Sequence, residues 1–310
     1  MQGDDANLRS AHPRDMTKVA VLGTGKMGAA IARRLKAGGF DISVWDRTRS
    51  KAEALQLGPV VDSPADAARH TDVLISMLTG PQALHDVYFG PTGVFAAGAA
   101  TRIVDMGTVG PAAARELADA AELKGAKMVE APVIGSIPAV NSGTLAILAG
   151  AALVEDFEAV RPVLQQLGEV HYVGDVESAA TLKLLANSFL GIVSAGAAEL
   201  MAAGTAQGVD PEQIFAVLSR VAPGLKVREA GFLRNSDQPT LFAVRDIFKD
   251  LDLALALYQR APGRGSRVPL TAMSRELFAG VAARKPDEDI SAIVTAYSND
   301  LPRQEEVLAS

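Results

Sequence analysis

The chain has 310 residues, carries 30 basic against 36 acidic side chains for a net charge of −6, and contains no cysteine. Its length exceeds what one hydrophobic core ordinarily serves, so two domains are expected and a disulfide-stapled mini-protein is excluded. Disulfides, thiolate catalysis and cysteine metal ligands fall away together, the lack of a concentrated basic stripe argues against nucleic acid as a partner, and the cytoplasm is the expected compartment.

In chain order, residues 1–16 are polar, lack the apolar centre of a secretory signal and read as a disordered leader. Over residues 17–176, short β-branched runs alternate with amphipathic stretches, the pattern of βαβ units around a parallel sheet, which predicts a doubly wound, Rossmann-type domain. The strand candidates are Val19–Leu22, Ile42–Trp45, Val73–Leu78, Ile103–Met106, Lys127–Val129, Leu145–Leu148 and the short Tyr172–Val173. Ser63-Pro64-Ala65-Asp66 has the make-up of a helix start, with Ser as cap and Pro at the first helical position.

Beyond Gly174 no convincing strand follows, so residues 177–310 are expected to form an all-α domain. Its first helix, from about Ser178 to Gln207, is far longer than the average of about 11–12 residues and should join the two domains through a core. The apolar part, Leu182 to Met201, carries Lys183, Asn187 and Glu199, which favours a buried helix over a membrane span. This domain holds more apolar helix than one protomer covers, predicting a homodimer or homotetramer. His12, His70, His85 and His171 have no recognisable metal-ligand spacing, so no metal site is expected.

The first strand runs into Gly23-Thr24-Gly25-Lys26-Met27-Gly28 and then into a helical stretch, which is Gly-x-Gly-x-x-Gly in the setting of a dinucleotide-binding turn. Gly23 permits the turn, Gly25 lets a pyrophosphate approach the backbone, Gly28 allows close helix–strand packing, and the helix N-terminus supplies amide donors. These six residues are the expected cofactor cradle. Met77 and Leu78, closing the third strand candidate, are assigned to the same site. After the second strand comes Asp46-Arg47-Thr48-Arg49-Ser50-Lys51, where the adenosine ribose is read. Asp46 favours the two ribose hydroxyls of NAD; Arg47, Arg49 and Lys51, with Thr48 as a further donor, favour the 2′-phosphate of NADP. The cations put NADP ahead of NAD, with NAD kept open.

Four segments carry a resemblance. Val104-Asp105-Met106-Gly107-Thr108-Val109, Glu130-Ala131-Pro132-Val133-Ile134-Gly135-Ser136, Lys183-Leu184-Leu185-Ala186-Asn187, and Phe242 through Lys249-Asp250 resemble motifs of the β-hydroxyacid dehydrogenases. Pro138-Ala139 with Gly143 to Leu148, and Asp287-Glu288-Asp289-Ile290-Ser291-Ala292, look most like the glyoxylate/succinic semialdehyde reductase branch. The resemblance implies hydride exchange between a nicotinamide cofactor and a small aldehyde, oxo acid or β-hydroxyacid. It implies Lys183 as general acid/base and Asn187 holding its head group, and a substrate site formed by Thr108, Ile134, Gly135, Lys183, Asn187, Phe242 and Asp250. Thr108 and Lys249 would also face the cofactor. Lys183 and Asn187 stand i,i+4, so a helix places them on one face. A helix through 242–250 would likewise put Phe242 and Asp250 on neighbouring parts of one face.

The sequence also departs from the family pattern. Ile134 and Gly107 stand where the family has serines, so two hydroxyl donors are missing from the expected anion pocket, and Glu177-Ser178-Ala179 replaces Gly-Asn-Gly before the lysine. Two further readings stay open: an imine reductase, against which Lys183 speaks, and a non-catalytic cofactor-binding protein, against which the retained lysine speaks as well.

Overall fold

The computed structural model describes residues 17–98, 101–234, 236–260 and 267–297. The leader expected over 1–16 lies outside the described residues.

Five strands, β1 (Lys18–Leu22), β2 (Asp41–Trp45), β3 (Val73–Ser76), β4 (Arg102–Asp105) and β5 (Lys127–Glu130), pair in parallel in the order β2-β1-β3-β4-β5. The order reverses between β1 and β3, so the crevice outside their carboxyl ends is the ligand-binding position of such a sheet. Alternation sends Val19 and Val21 into one apolar core and Ala20 and Leu22 into the other. Both faces of the sheet are therefore covered, as buried parallel strands require.

The parallel pattern ends there. β6 (Val133–Ile134) and β5 pair antiparallel with β7 (Leu145–Ala151), and β8 (Gly168–Tyr172) runs parallel to β7. The sheet is thus mixed at this edge. β6 is too short to carry a periodicity, and β8 starts before the segment expected from its sequence, with residues too exposed to alternate cleanly.

Helices α1 (Lys26–Ala37), α2 (Arg49–Glu53), α3 (Pro64–Arg69), α4 (Pro81–Phe89), α5 (Pro111–Leu123), α6 (Ile137–Ser142) and α7 (Val154–Leu164) connect the strands. α3 starts as its sequence predicts: Pro64 opens it and Ser63 Oγ accepts the Asp66 amide at 3.1 Å.

α8 (Val176–Ala206) begins with Asp175 accepting the Ser178 amide at 2.8 Å and continues for 31 residues. It is long and apolar enough to cross a membrane by length and composition, and half of its most apolar window is buried within the protein. Its first turns lie against α5 and the sheet, and its later turns against α9 (Pro211–Val221), α11 (Val244–Arg260) and α12 (Pro269–Ala282). Together with α10 (Glu229–Leu233) and the 3₁₀ turn Ile290–Tyr297, these helices enclose a third core containing Phe215, Phe232, Ile247, Leu251, Phe278 and Ile293. Gly191 allows α11 to approach α8, since a Cβ there would lie 3.3 Å from Leu251 Cδ2.

One expected helix is shorter than its sequence suggested. α11 starts at Val244, so Phe242 precedes it and does not share its face with Asp250. The cause is Asp289, buried to 3% exposure, whose Oδ2 accepts the Leu241 and Phe242 amides at 2.9 and 3.1 Å while Ala243 bridges to Asp289 in extended form. Across this bridge the Phe242 carbonyl accepts the Ile290 amide at 3.0 Å and the Asp246 amide bonds Ala243 O instead, so no helical turn can include Phe242.

Candidate functional site

The fingerprint occupies the carboxyl end of β1. Gly23 has φ +90°, and a Cβ on it would fall 2.5 Å from Met77 O and 3.1 Å from Leu78 Cδ2. A Cβ on Gly28 would fall 1.9 Å from Gly23 O and 3.4 Å from Met77 Cβ. Met77 and Leu78 thus lie against the glycine turn. Gly25 opens onto free space, where a Cβ would meet nothing within 4 Å, and caps α1 with no side-chain bond to the first-turn amides. Lys26 is exposed beside it and Met27 half-buried. Uncapped amides, no acid in the first turn and open space at Gly25 fit a pyrophosphate.

At the next turn Asp46 is committed to the protein itself. Its Oδ2 accepts the Thr24 amide at 2.7 Å and the Thr24 hydroxyl at 3.1 Å, and its Oδ1 accepts the Thr48 amide at 2.8 Å. Arg49 is paired with Glu53 at 2.8 Å and Asp62 at 2.6 Å. Arg47, Thr48 and Lys51 are exposed, and the two cations make no ion pair among the described residues.

From the glycine turn a run of contacts leads to the lysine. Leu78 O lies 3.2 Å from the position of a Gly107 Cβ, and Thr108 follows Gly107. Lys249 Nζ donates to Thr108 O at 2.8 Å, its stem crossing Gly80, where a Cβ would lie 3.1 Å from Lys249 Cδ. The same ammonium lies 2.7 Å from Asp250 Oδ1, an ion pair off the hydrogen-bonding direction. Asp250 Oδ2 accepts Asn187 Nδ2 at 2.5 Å, and Asn187 Oδ1 accepts Lys183 Nζ at 3.0 Å. Lys183 Nζ also donates to Val133 O at 2.8 Å.

The Asn187 amide is fixed by this arrangement: its nitrogen faces a carboxylate and its oxygen an ammonium. Burial pushes the Lys183 ammonium down to about 8; the charge of Asp250 opposes the shift and that of Lys249 adds to it. A lysine so placed can give up and regain its proton near neutral pH.

Ile134 follows Val133 and is 42% exposed. Gly135 adopts φ +131°, and a Cβ on it would meet Leu145 Cδ2 at 2.7 Å, so glycine is required there. The structure therefore brings together Gly107, Thr108, Lys183, Asn187, Lys249 and Asp250, with Ile134 and Gly135 adjoining. Phe242 stays outside this set of bonds. It is half-buried against the helical core, next to Leu241, which lines an open cleft of about 550 Å³ with Pro138, Lys226, Glu229 and Gln238. Neither Lys183 nor Asn187 lines that cleft.

Three participants escaped the sequence reading. Val133 acts through its carbonyl, which no residue type announces. Gly80 matters by leaving room for Lys249. Asp289, part of the quoted Asp-Glu-Asp-Ile-Ser segment, holds Phe242 from a distant position.

Residues 18–174 match the NAD binding domain of 6-phosphogluconate dehydrogenase, and residues 178–297 match the NAD-binding domain of NADP-dependent 3-hydroxyisobutyrate dehydrogenase. The 3-hydroxyisobutyrate dehydrogenase of Pseudomonas aeruginosa is 32% identical over 298 residues, covering 91% of this chain and 99% of the relative. Glyoxylate/succinic semialdehyde reductase 2 of Arabidopsis thaliana is 31% identical over 286 residues, 90% of this chain and 78% of the relative. Among solved structures, Mycobacterium tuberculosis 3-hydroxyisobutyrate dehydrogenase with L-serine superposes with a TM-score of 0.77 at 27% identity, covering 90% of this chain and 98% of that one. The glycine cradle and the two matching domains agree, and the chain belongs to the β-hydroxyacid dehydrogenase family of NAD(P)-dependent oxidoreductases.

Proposed function

We propose that this protein is an NADPH-preferring reductase of a small aldehyde, ketone or oxo acid, equally able to oxidise the corresponding hydroxy compound, with Lys183 as its general acid/base. The observation that carries the reading is the Lys183 ammonium, held between Val133 O and Asn187 Oδ1 and lowered to about 8. Bound NADPH supplies the hydride. As negative charge develops on the substrate oxygen, Lys183 donates its proton to that oxygen; in the oxidative direction it withdraws the hydroxyl proton. Asn187 orients the ammonium, Asp250 fixes Asn187, and the Lys249–Thr108 bond ties the helix bearing Asp250 to the sheet end.

The NADP preference is supported by Asp46 being occupied within its own turn while Arg47 and Lys51 stand exposed. The substrate is inferred to be less acidic than those of serine-bearing relatives, because Gly107 and exposed Ile134 offer no hydroxyl to a carboxylate. The same apolar wall favours a cyclic imine as the second reading. The exposed stripe Leu182, Leu185 and Phe189 on α8, at helical spacing, is assigned to contact with a second copy, giving a homodimer or homotetramer.

The test is NADPH and NADH oxidation against glyoxylate, succinic semialdehyde, a non-acidic aldehyde and a cyclic imine, with solution mass measured alongside. Faster turnover of the non-acidic aldehyde than of glyoxylate, with NADPH preferred, supports the reading. Activity on the imine alone overturns it in favour of the second, and a monomer overturns the assembly.

A further inference from the structure

Ser76, Asp105 and Glu130 end three adjacent strands, and the register pairs Ser76 with Asp105 and Asp105 with Glu130. All three are at 0% exposure, as is Tyr88 of α4 beside them. Ser76 Oγ donates to Asp105 Oδ1 at 2.5 Å and lies 2.8 Å from the Tyr88 hydroxyl. The single serine proton is spent on Asp105, so Tyr88 is the donor to Ser76, and both dipoles point toward the Asp105 carboxyl. Asp105 Oδ2 and both Glu130 oxygens have no hydrogen-bond partner among the described residues.

Two neighbouring carboxyl groups in a dry interior cannot both be ionised, because each charge raises the cost of the other. A proton held by one of them removes that mutual repulsion. The groups that face Asp105 are Ser76 from β3, Tyr88 from α4, Glu130 from β5, the Gly107 amide, and Lys249 from α11. Burial pushes Asp105 up to about 6, with Ser76, the Gly107 amide and Lys249 opposing, and pushes Glu130 well above the carboxylate range. Glu130 is thus pushed toward its protonated form more strongly than Asp105, which leaves the charge to Asp105. That charge sits two residues before Gly107, in the field of the ammonium bound to Thr108 O, which Asp250 Oδ1 also faces at 2.7 Å and Asp246 faces from its own helix.

We propose that Asp105 and Glu130 share one proton, and that the remaining negative charge beneath the Gly107–Thr108 turn positions Lys249 on Thr108 O, seating α11 against the end of the sheet. Asp105 and Glu130 are thus positioning residues acting through Lys249. This deepens the functional reading, in which the Lys249–Thr108 bond ties the helix bearing Asp250 to the sheet end, but is independent of which carbonyl is reduced.

The test uses the full chain without substrate. Infrared difference spectra between wild type and Glu130→Gln at pH 7.5 should show a protonated carboxyl band lost in the variant; its absence from wild type overturns the shared proton. Hydrogen exchange at residues 107–110 and the first turns of α11 is then compared in Asp105→Asn, Lys249→Met and the double variant. Each single change should speed exchange severalfold, and the double should be no faster than Lys249→Met alone; multiplied effects overturn the link. If Asp105→Asn does not fold, wild type and Lys249→Met serve without it. Wild-type protection, corrected for intrinsic rates, should fall below about pH 6, and this fall should vanish in Lys249→Met; a fall that persists there overturns the proposal. None of these readings needs turnover, so failure of the reductase assignment would appear separately, in the carbonyl panel.

Discussion

Replacing Lys183 with methionine should make the protein more stable at pH 7 and nearly inactive. The lysine is lowered from 10.5 to about 8, a differential cost of about 3 kcal/mol for holding its charge in the folded state. The unfolded chain binds the proton up to about pH 10.5 and the folded chain only up to about 8. The cost is therefore full below pH 8 and fades as pH rises toward 10.5. Methionine removes it but leaves Val133 O and Asn187 Oδ1 without their donor, about 1 kcal/mol each. The net gain is about 1 kcal/mol at pH 7, and it should reverse at pH 10, where the remaining charge penalty, about 1 kcal/mol, is smaller than the two lost bonds. Urea unfolding midpoints of both proteins at the two pH values measure this, while the rate of carbonyl reduction should fall by about 10²–10⁴. A variant destabilised equally at pH 7 and pH 10 would refute the claim that Lys183 is held against a burial cost.

The groups around Lys183 should move its titration in opposite directions. Asp250 raises the lysine and Lys249 lowers it, so Asp250→Asn should shift the alkaline fall in reduction rate to lower pH and Lys249→Met to higher pH; kcat/KM profiles from pH 6 to 10 check the signs. Arg47→Ala with Lys51→Ala should weaken NADPH binding by about thirtyfold and leave NADH nearly unchanged, each lost charge-assisted bond to the 2′-phosphate counting for about 1 kcal/mol. Cofactor titration by fluorescence reads this directly. Gly28→Ala places a Cβ 1.9 Å from Gly23 O, which the backbone cannot accept without moving the turn, and should abolish cofactor binding in that titration.

The fingerprint was legible because two of its glycines answer steric needs that no other residue meets, a φ of +90° at Gly23 and a backbone collision at Gly28, while Gly25 leaves open space. Lys183 and Asn187 were legible because i,i+4 spacing on one helix fixes their proximity. What the sequence could not convey depends on partners brought together by folding. α11 stops short of Phe242 because the chain around Ala243 pairs with residues 288–290, far along the sequence. The adjacency of Asp105 and Glu130 is set by strand register, and the short β6 and the antiparallel turn at β7 follow from pairing rather than from local propensity. Asp46 shows the same limit: its residue type gives no sign of the bonds to Thr24 and Thr48 by which it also holds the turn.

In the proposed mechanism Lys183 supplies the proton for carbonyl reduction. This step is tested most directly by NADPH oxidation with the best carbonyl substrate, comparing wild type with Lys183→Ala at pH 7 after NADPH affinity has been shown equal in both. A loss of at least about 100-fold in kcat with affinity retained is the predicted result. A variant that keeps wild-type kcat would contradict the account.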